Sequence, residues 1–157
     1  DYDINVLAAQ LRLLNKENIT TENELYMKYN EVTNSYIEAK RSIDKLASLE
    51  VSLNGVIANV KLYFELSKIK ELTSAQKLKL SIAKSVIEKY NISNENDLIK
   101  LQNKKIKTVE KIQKLKESFS DTEKRYMAFR DLMNIHEQIK NDTYMKNVLA
   151  YKKEKER

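Results

Sequence analysis

One glycine and no proline occur in 157 residues, and that constrains this chain more than any other feature. Tight turns, hairpins and phosphate-cradling loops depend on those residues, so the sequence argues against a sheet-rich fold or a nucleotide-binding enzyme. No G-x-S-x-G, Walker or G-x-G-x-x-G pattern can be written with a single glycine. Hydrophobic residues make up 41% and charged residues 33%, and the apolar ones recur at helical spacing, the pattern of long amphipathic helices. The expected fold is all-α: an elongated, coiled-coil-like helical bundle in a single domain, residues 1–157, built from two tandem helix-turn-long-helix units.

Cysteine is absent, which removes disulfides and thiolate metal sites and fits a reducing cytoplasm. No apolar run approaches the ~20 residues needed to span a bilayer, and no signal-peptide pattern is seen. The expected location is therefore cytoplasmic, without membrane insertion. The opening Asp1-Tyr2-Asp3 lacks an initiator methionine and reads as a domain taken from a longer protein. Net charge is +6 and unevenly spread: residues 1–73 hold 9 Lys+Arg and 11 Asp+Glu, residues 74–157 hold 20 and 12. The basic second half points to an anionic partner.

The chain also repeats. Residues 18–25 read Asn-Ile-Thr-Thr-Glu-Asn-Glu-Leu and residues 91–98 read Asn-Ile-Ser-Asn-Glu-Asn-Asp-Leu, an offset of 73. Leu7/Leu80, Leu13/Val86, Leu14/Ile87 and Lys16/Lys89 correspond before them. Two helical units follow, 4–70 and 74–140, with a basic C-terminal extension at 141–157. Each unit reads as a short amphipathic helix (near 4–17 and 74–90), a tight connection and a long helix. Start signals mark the connections: Thr21-x-x-Glu24 and Thr73-x-x-Gln76 fit capping boxes, and Asn94 can cap with Glu95 and Asp97 behind it. Ile19 and Ile92 sit where a hydrophobic staple would pin each turn.

Heptads run along both long helices. In the first, Leu25, Val32, Ala39, Leu46, Leu53 and Val60 recur every seven residues, with Tyr29, Tyr36, Ile43, Ile57 and Phe64 as companions interrupted by Glu50. In the second, Leu98, Ile112, Phe119, Tyr126 and Met133 alternate with Leu101, Leu115 and Phe129, and Lys105, Thr108 and Thr122 are weaker members. Such seams must be buried on another helix. The expected partner lies antiparallel in the same chain, with an intermolecular dimer as competitor. Breaks are allowed for at Asn54-Gly55 and near Ser118–Ser120.

No catalytic constellation stands out, and neither a metal nor a cofactor is expected. The one histidine, His136, falls on a seam and reads as a core or interface residue. Carboxylates interleave with lysines at helical spacing, as on solvated helix faces. The sharper signal is a run of Lys100, Lys104, Lys105, Lys107, Lys111, Lys114 and Lys116 with one glutamate, Glu110, in 17 residues. Lysines along a helix can neutralise phosphates in a salt-dependent, sequence-tolerant way. A solvated coiled-coil face and a surface for an acidic protein are the other readings of the same run. The basic tail from Tyr151 to Arg157 is diluted by glutamates. Tyr29, Tyr36 and Tyr126 sit in seams, whereas Tyr63-Phe64 and Tyr144 with Tyr151 lie near element ends.

The run from Ala8 through Leu13-Leu14, Asn18-Ile19-Thr20 and Glu24-Leu25 resembles the helical C-terminal tail of mobilisation relaxases from conjugative plasmids and transposons of Gram-positive bacteria. In those tails a short Ala/Leu-rich helix ends in an Asn-x-Ile-(Thr/Ser) turn before a long charged heptad helix. The likeness covers residues 4–70 and, through the repeat, 74–140. It departs from the pattern at isolated Lys40 and Arg41, and the tyrosine- and lysine-rich segment is represented only by Tyr63-Phe64, Lys68 and Lys70. The resemblance implies a parent that nicks a transfer origin using a tyrosine and a metal-bound histidine triad. A single histidine cannot supply that triad, so no catalytic residue is carried over.

The function expected is thus a non-catalytic accessory domain of a DNA-transfer protein, binding DNA, or conjugation accessory or coupling proteins, through the lysines of 100–116. The alternative is a structural coiled-coil module that homodimerises or spaces other domains without nucleic acid. A peripheral membrane helix ranks third, since the basic stretch lacks the Trp- or Phe-rich apolar face such helices use.

Overall fold

A computed structural model describes residues 4–155, and these form four α-helices: α1 (Ile4–Lys16), α2 (Glu22–Leu66), α3 (Ser74–Lys89) and α4 (Glu95–Lys155). Among the described residues there is no strand, and the fold is all-α. The opening Asp1-Tyr2-Asp3 and the final two residues of the C-terminal extension, Glu156 and Arg157, lie outside the described residues.

The two short connections before the long helices are built alike. Asn18 and Asn91 take left-handed backbone angles, φ 55° and 54°, which reverse the chain where each short helix stops. The Ile19 N–H then donates to the Leu14 carbonyl (2.9 Å) and the Ile92 N–H to the Ile87 carbonyl (3.0 Å). These satisfy carbonyls that a helix end otherwise leaves open. One residue on, the Thr20 N–H donates to Glu24 Oε2 and the Ser93 N–H to Asp97 Oδ2, both at 2.8 Å. The caps close from the other side, as the Glu24 N–H donates to Thr21 Oγ1 (3.2 Å) and the Asp97 N–H to Asn94 Oδ1 (3.1 Å). The expected reciprocal bond of the Thr21 box is displaced by one residue, because the Glu24 carboxylate reaches the backbone of Thr20. At Thr73 the box is complete: Gln76 Oε1 accepts from the Thr73 N–H at 2.9 Å while Thr73 Oγ1 accepts from the Gln76 N–H at 3.2 Å.

Helix α2 ends at Leu66, short of the expected residue 70. Ser67 Oγ donates to the Tyr63 carbonyl at 2.6 Å, and the next amides, Lys68 and Ile69, fall back to Glu65 and Leu66, tightening the last turn to a three-residue spacing. The helix passes through Asn54-Gly55 without a break. Glycine weakens a helix but keeps its backbone donor, and the Asn59 amide reinforces the site by donating to the Gly55 carbonyl at 2.9 Å. Helix α4 likewise runs through Ser118–Ser120, and Thr122 Oγ1 donates back to the Ser118 carbonyl at 3.4 Å.

The chain divides into two compact units. The terminal unit comprises the chain up to Ala39 and from Ser118 onward; the central unit is Lys40–Glu117. In the terminal unit, Leu25 and Val32 of α2 bury against Phe129, Leu132 and Met133 of α4, with Leu13, Leu14 and Ile19 packed on them. Tyr36 stacks on Tyr126 with ring centroids 4.2 Å apart and on Phe119 at 5.5 Å. Tyr26 meets His136 edge-on, and Lys140 reaches Glu22. Positions on α4 thus fall as those on α2 rise, so within this unit the two helices run antiparallel. In the central unit, Val56 and Val60 of α2 and Ile87 of α3 form the core, with Tyr63, Phe64, Ile92, Leu98 and Leu101 against them. In each unit a short helix, the start of the long helix that follows it and the end of the other long helix are brought together. Each therefore draws on both sequence repeats.

Candidate nucleic-acid interface

All seven lysines singled out from the sequence belong to the first part of α4, inside the central unit. An α-helix turns ~100° per residue, and that separates them. Lys100, Lys104, Lys107, Lys111 and Lys114 follow steps of four, three, four and three residues and fall within an arc of about 80°. The core-facing residues Leu101, Thr108, Ile112 and Leu115, all buried or half-buried, lie about a quarter-turn away. Lys105 is half-buried on that core face, and Lys116 is exposed on its far flank. The structure thus brings five of the seven into one row and leaves two outside it.

The row spans about 21 Å at ~1.5 Å per residue, and all five of its lysines are exposed. Glu110 and Glu117 project to one side of it, and Asp97 is engaged with the Ser93 N–H, so no carboxylate interrupts the row. Among the described residues, the ammonium groups of Lys100, Lys104, Lys107 and Lys111 have no ion-pair partner, whereas the ion pairs found all lie in the terminal unit. Beneath the row Thr108 is buried, its hydroxyl donating to the Lys104 carbonyl at 2.8 Å. That bond lets a polar side chain sit in the core without an unmet donor.

Charge follows the compact units more closely than it follows the sequence halves. The central unit carries 17 Lys+Arg against 9 Asp+Glu, the rest of the chain 12 against 14. All of the positive excess therefore belongs to the unit that bears the row. A dense set of exposed ammonium groups along one helix can hold a polyanion by displacing its counterions.

The titratable groups of the terminal unit are tied up with one another. Arg125 grips Glu17 with two bonds, Nε to Oε1 and Nη2 to Oε2, both 2.9 Å. The bidentate contact holds the Glu17 carboxyl below its ordinary value and raises Arg125. The Tyr26 hydroxyl and Lys140 hold Glu22 below the usual carboxylate range, while Glu22 pushes Tyr26 and Lys140 up. His136 Nε2 lies 3.8 Å from Glu22 Oε1 and is buried without a hydrogen bond, at the seam position its spacing indicates. These groups fasten α4 to α1 and α2. Among the described residues no group of three or more His, Cys, Asp or Glu is arranged to hold a metal ion, and no helix is long and apolar enough to cross a membrane.

In comparisons with known proteins, no family model, no curated protein and no solved structure matches this chain.

Sequence reasoning found the lysine run but did not sort it. The signal was present in the alternating four- and three-residue steps of five of the lysines. Lys105 had already been placed, independently, as a seam position.

Proposed function

We propose that this chain is a non-catalytic helical accessory domain that binds DNA through its phosphates, of the kind that follows the nuclease domain in DNA-transfer relaxases. The observation that carries the reading is the row Lys100, Lys104, Lys107, Lys111 and Lys114, exposed and uninterrupted by acid on a helix of the basic unit. The matching turns at Asn18 and Asn91 support two tandem copies of one helix-turn-long-helix design, of which the second has taken on the charge. In that setting the heptad seams act as coiled-coil-like packing that holds the lysine-bearing part of α4 against its neighbours. Accessory or coupling proteins of the transfer machinery would be its protein partners, in the cytoplasm.

The test is titration of the chain against labelled single- and double-stranded DNA at low and physiological salt. Association that weakens steeply with salt, and is lost when Lys104, Lys105, Lys107 and Lys111 are all changed to Glu, is the expected result. Unchanged binding by that variant would remove the lysines from the function.

A second reading, a structural module that dimerises, is favoured by the last stretch of α4. Tyr144, Met145, Leu149 and Tyr151 are 66%, 52%, 53% and 61% exposed there, an apolar surface suited to another helix. It requires a mass that doubles with concentration in light scattering. A monomer at high concentration counts against it.

A further inference from the structure

We infer that the lysine row is built for the backbone of duplex DNA rather than for a single strand, and that it reads no base sequence; this rests on the phosphate-binding reading above. Three observations converge on it.

The first is geometric. Five charges lie along about 21 Å of continuous helix, a length over which one strand of a duplex rises about six nucleotides at ~3.4 Å each. A duplex presents about one charge per 1.7 Å on a stiff rod. A single strand offers half that density and must be straightened along the row at a cost in its own conformational freedom.

The second is the lack of a stacking surface. Proteins that hold single strands combine a basic groove with aromatic side chains on which successive bases stack. The central unit has three aromatics in its sequence, Tyr63, Phe64 and Tyr90. Tyr63 and Phe64 are half-buried against the core and meet each other edge-on at 5.8 Å. Tyr90 is exposed, but the Lys89 ammonium sits over its ring at 5.5 Å. No row of bases can stack here.

The third is the chemistry of the row itself. Between residues 100 and 114 its arc contains lysine only. Lysine is a mobile point charge suited to phosphate, and the arc offers no arginine, asparagine or glutamine for a planar bidentate contact with a base edge. Contacts confined to phosphate position a protein without specifying sequence.

The experiment uses the full chain and a labelled duplex of about 30 base pairs, against each of its separated strands at equal phosphate, from about 50 to about 200 mM salt. The duplex is expected to bind more tightly at every salt, with a slope of about −4.5 in log affinity against log salt for five contacts, a loss of about 500-fold across the range. Scrambling the base sequence should leave the affinity unchanged. Lys104→Gln, Lys107→Gln and Lys111→Gln together should shrink the slope to about −1.8. Lys77→Gln, Lys84→Gln and Lys116→Gln, which remove the same charge from exposed sites off the row, should leave it near its starting value. Circular dichroism confirms that both triple variants remain helical. Equal or tighter binding of the single strands would overturn the duplex assignment while leaving phosphate binding intact. Equal losses in the two triple variants would overturn the row in favour of undirected net charge. Absence of binding to any DNA at low salt would overturn the functional reading itself.

Discussion

Asn18 and Asn91 do the same job at the two chain reversals, and their value lies in tolerating φ near 55°. Asparagine enters that region more easily than other residues with a Cβ, and glycine most easily of all. Asn18→Gly and Asn91→Gly should therefore leave stability unchanged or slightly raised, whereas Asn91→Val should cost about 1–2 kcal/mol, as read from urea unfolding midpoints. Both residues were visible in the sequence as turn markers; their left-handed backbone was not, since nothing in a local pattern distinguishes a capping asparagine from a reversing one. Glu17 illustrates a different limit. Its partner Arg125 is 108 positions away, beyond the reach of any spacing rule. Because that contact depresses the folded-state pKa below the ordinary 4.5, the unfolded chain binds protons first as pH falls. The stabilisation is complete above about pH 4.5 and is lost as pH drops through the folded value. Melting temperatures recorded from neutral pH downward should converge for the parent and Glu17→Gln in acid and separate above it, and parallel curves would show that the pair contributes nothing.

At the scale of the helices, burial follows many of the seven-residue positions. Leu25, Val32, Leu53, Val60, Ile112 and Met133 are all buried, and even the weak member Thr108 is 4% exposed. What escaped on the long helices were Val56, Leu66 and Leu132, all buried outside those positions. A two-helix heptad admits one narrow stripe, but here a short helix packs as a third partner in each unit and widens the apolar face. The two suspected breaks did not form because neither glycine nor serine removes a backbone donor, and only proline would have done so. Gly55 nevertheless weakens α2. A Cβ built there meets nothing within 4 Å, so Gly55→Ala should stabilise the fold by about 0.5–1 kcal/mol, seen as a higher denaturation midpoint at unchanged slope. Thr73→Ala removes the complete capping box of α3 and should cost about 1 kcal/mol in the same assay.

For the whole molecule, an all-helical architecture could be read from composition, but the compact units could not. The repeats run 4–70 and 74–140 along the chain, whereas packing groups 40–117 in one body and both ends in another. Segments distant in sequence share a core only once the tertiary structure exists, and so the basic half seen in the sequence proved to be a basic unit with different limits. The lysine run was legible; its division into a row and two outliers needed the direction of the core. Since the central unit is one uninterrupted stretch with its own buried cluster, residues 40–117 alone should fold into a helical body that keeps the salt-dependent association. Circular dichroism and the DNA titration would check it, and a random-coil spectrum would refute it. The discontinuous unit has a further consequence, for the nascent chain. Helix α1 leaves the ribosome with its buried partners, among them Phe129 and Leu132, still untranslated, while the central unit can close as it emerges. At ~5–20 residues per second the 108 positions between Glu17 and Arg125 correspond to a wait of about 5–20 s. During that interval Leu13, Leu14 and Leu25 are uncovered, and a holding chaperone would find its substrate in α1 and the first turns of α2.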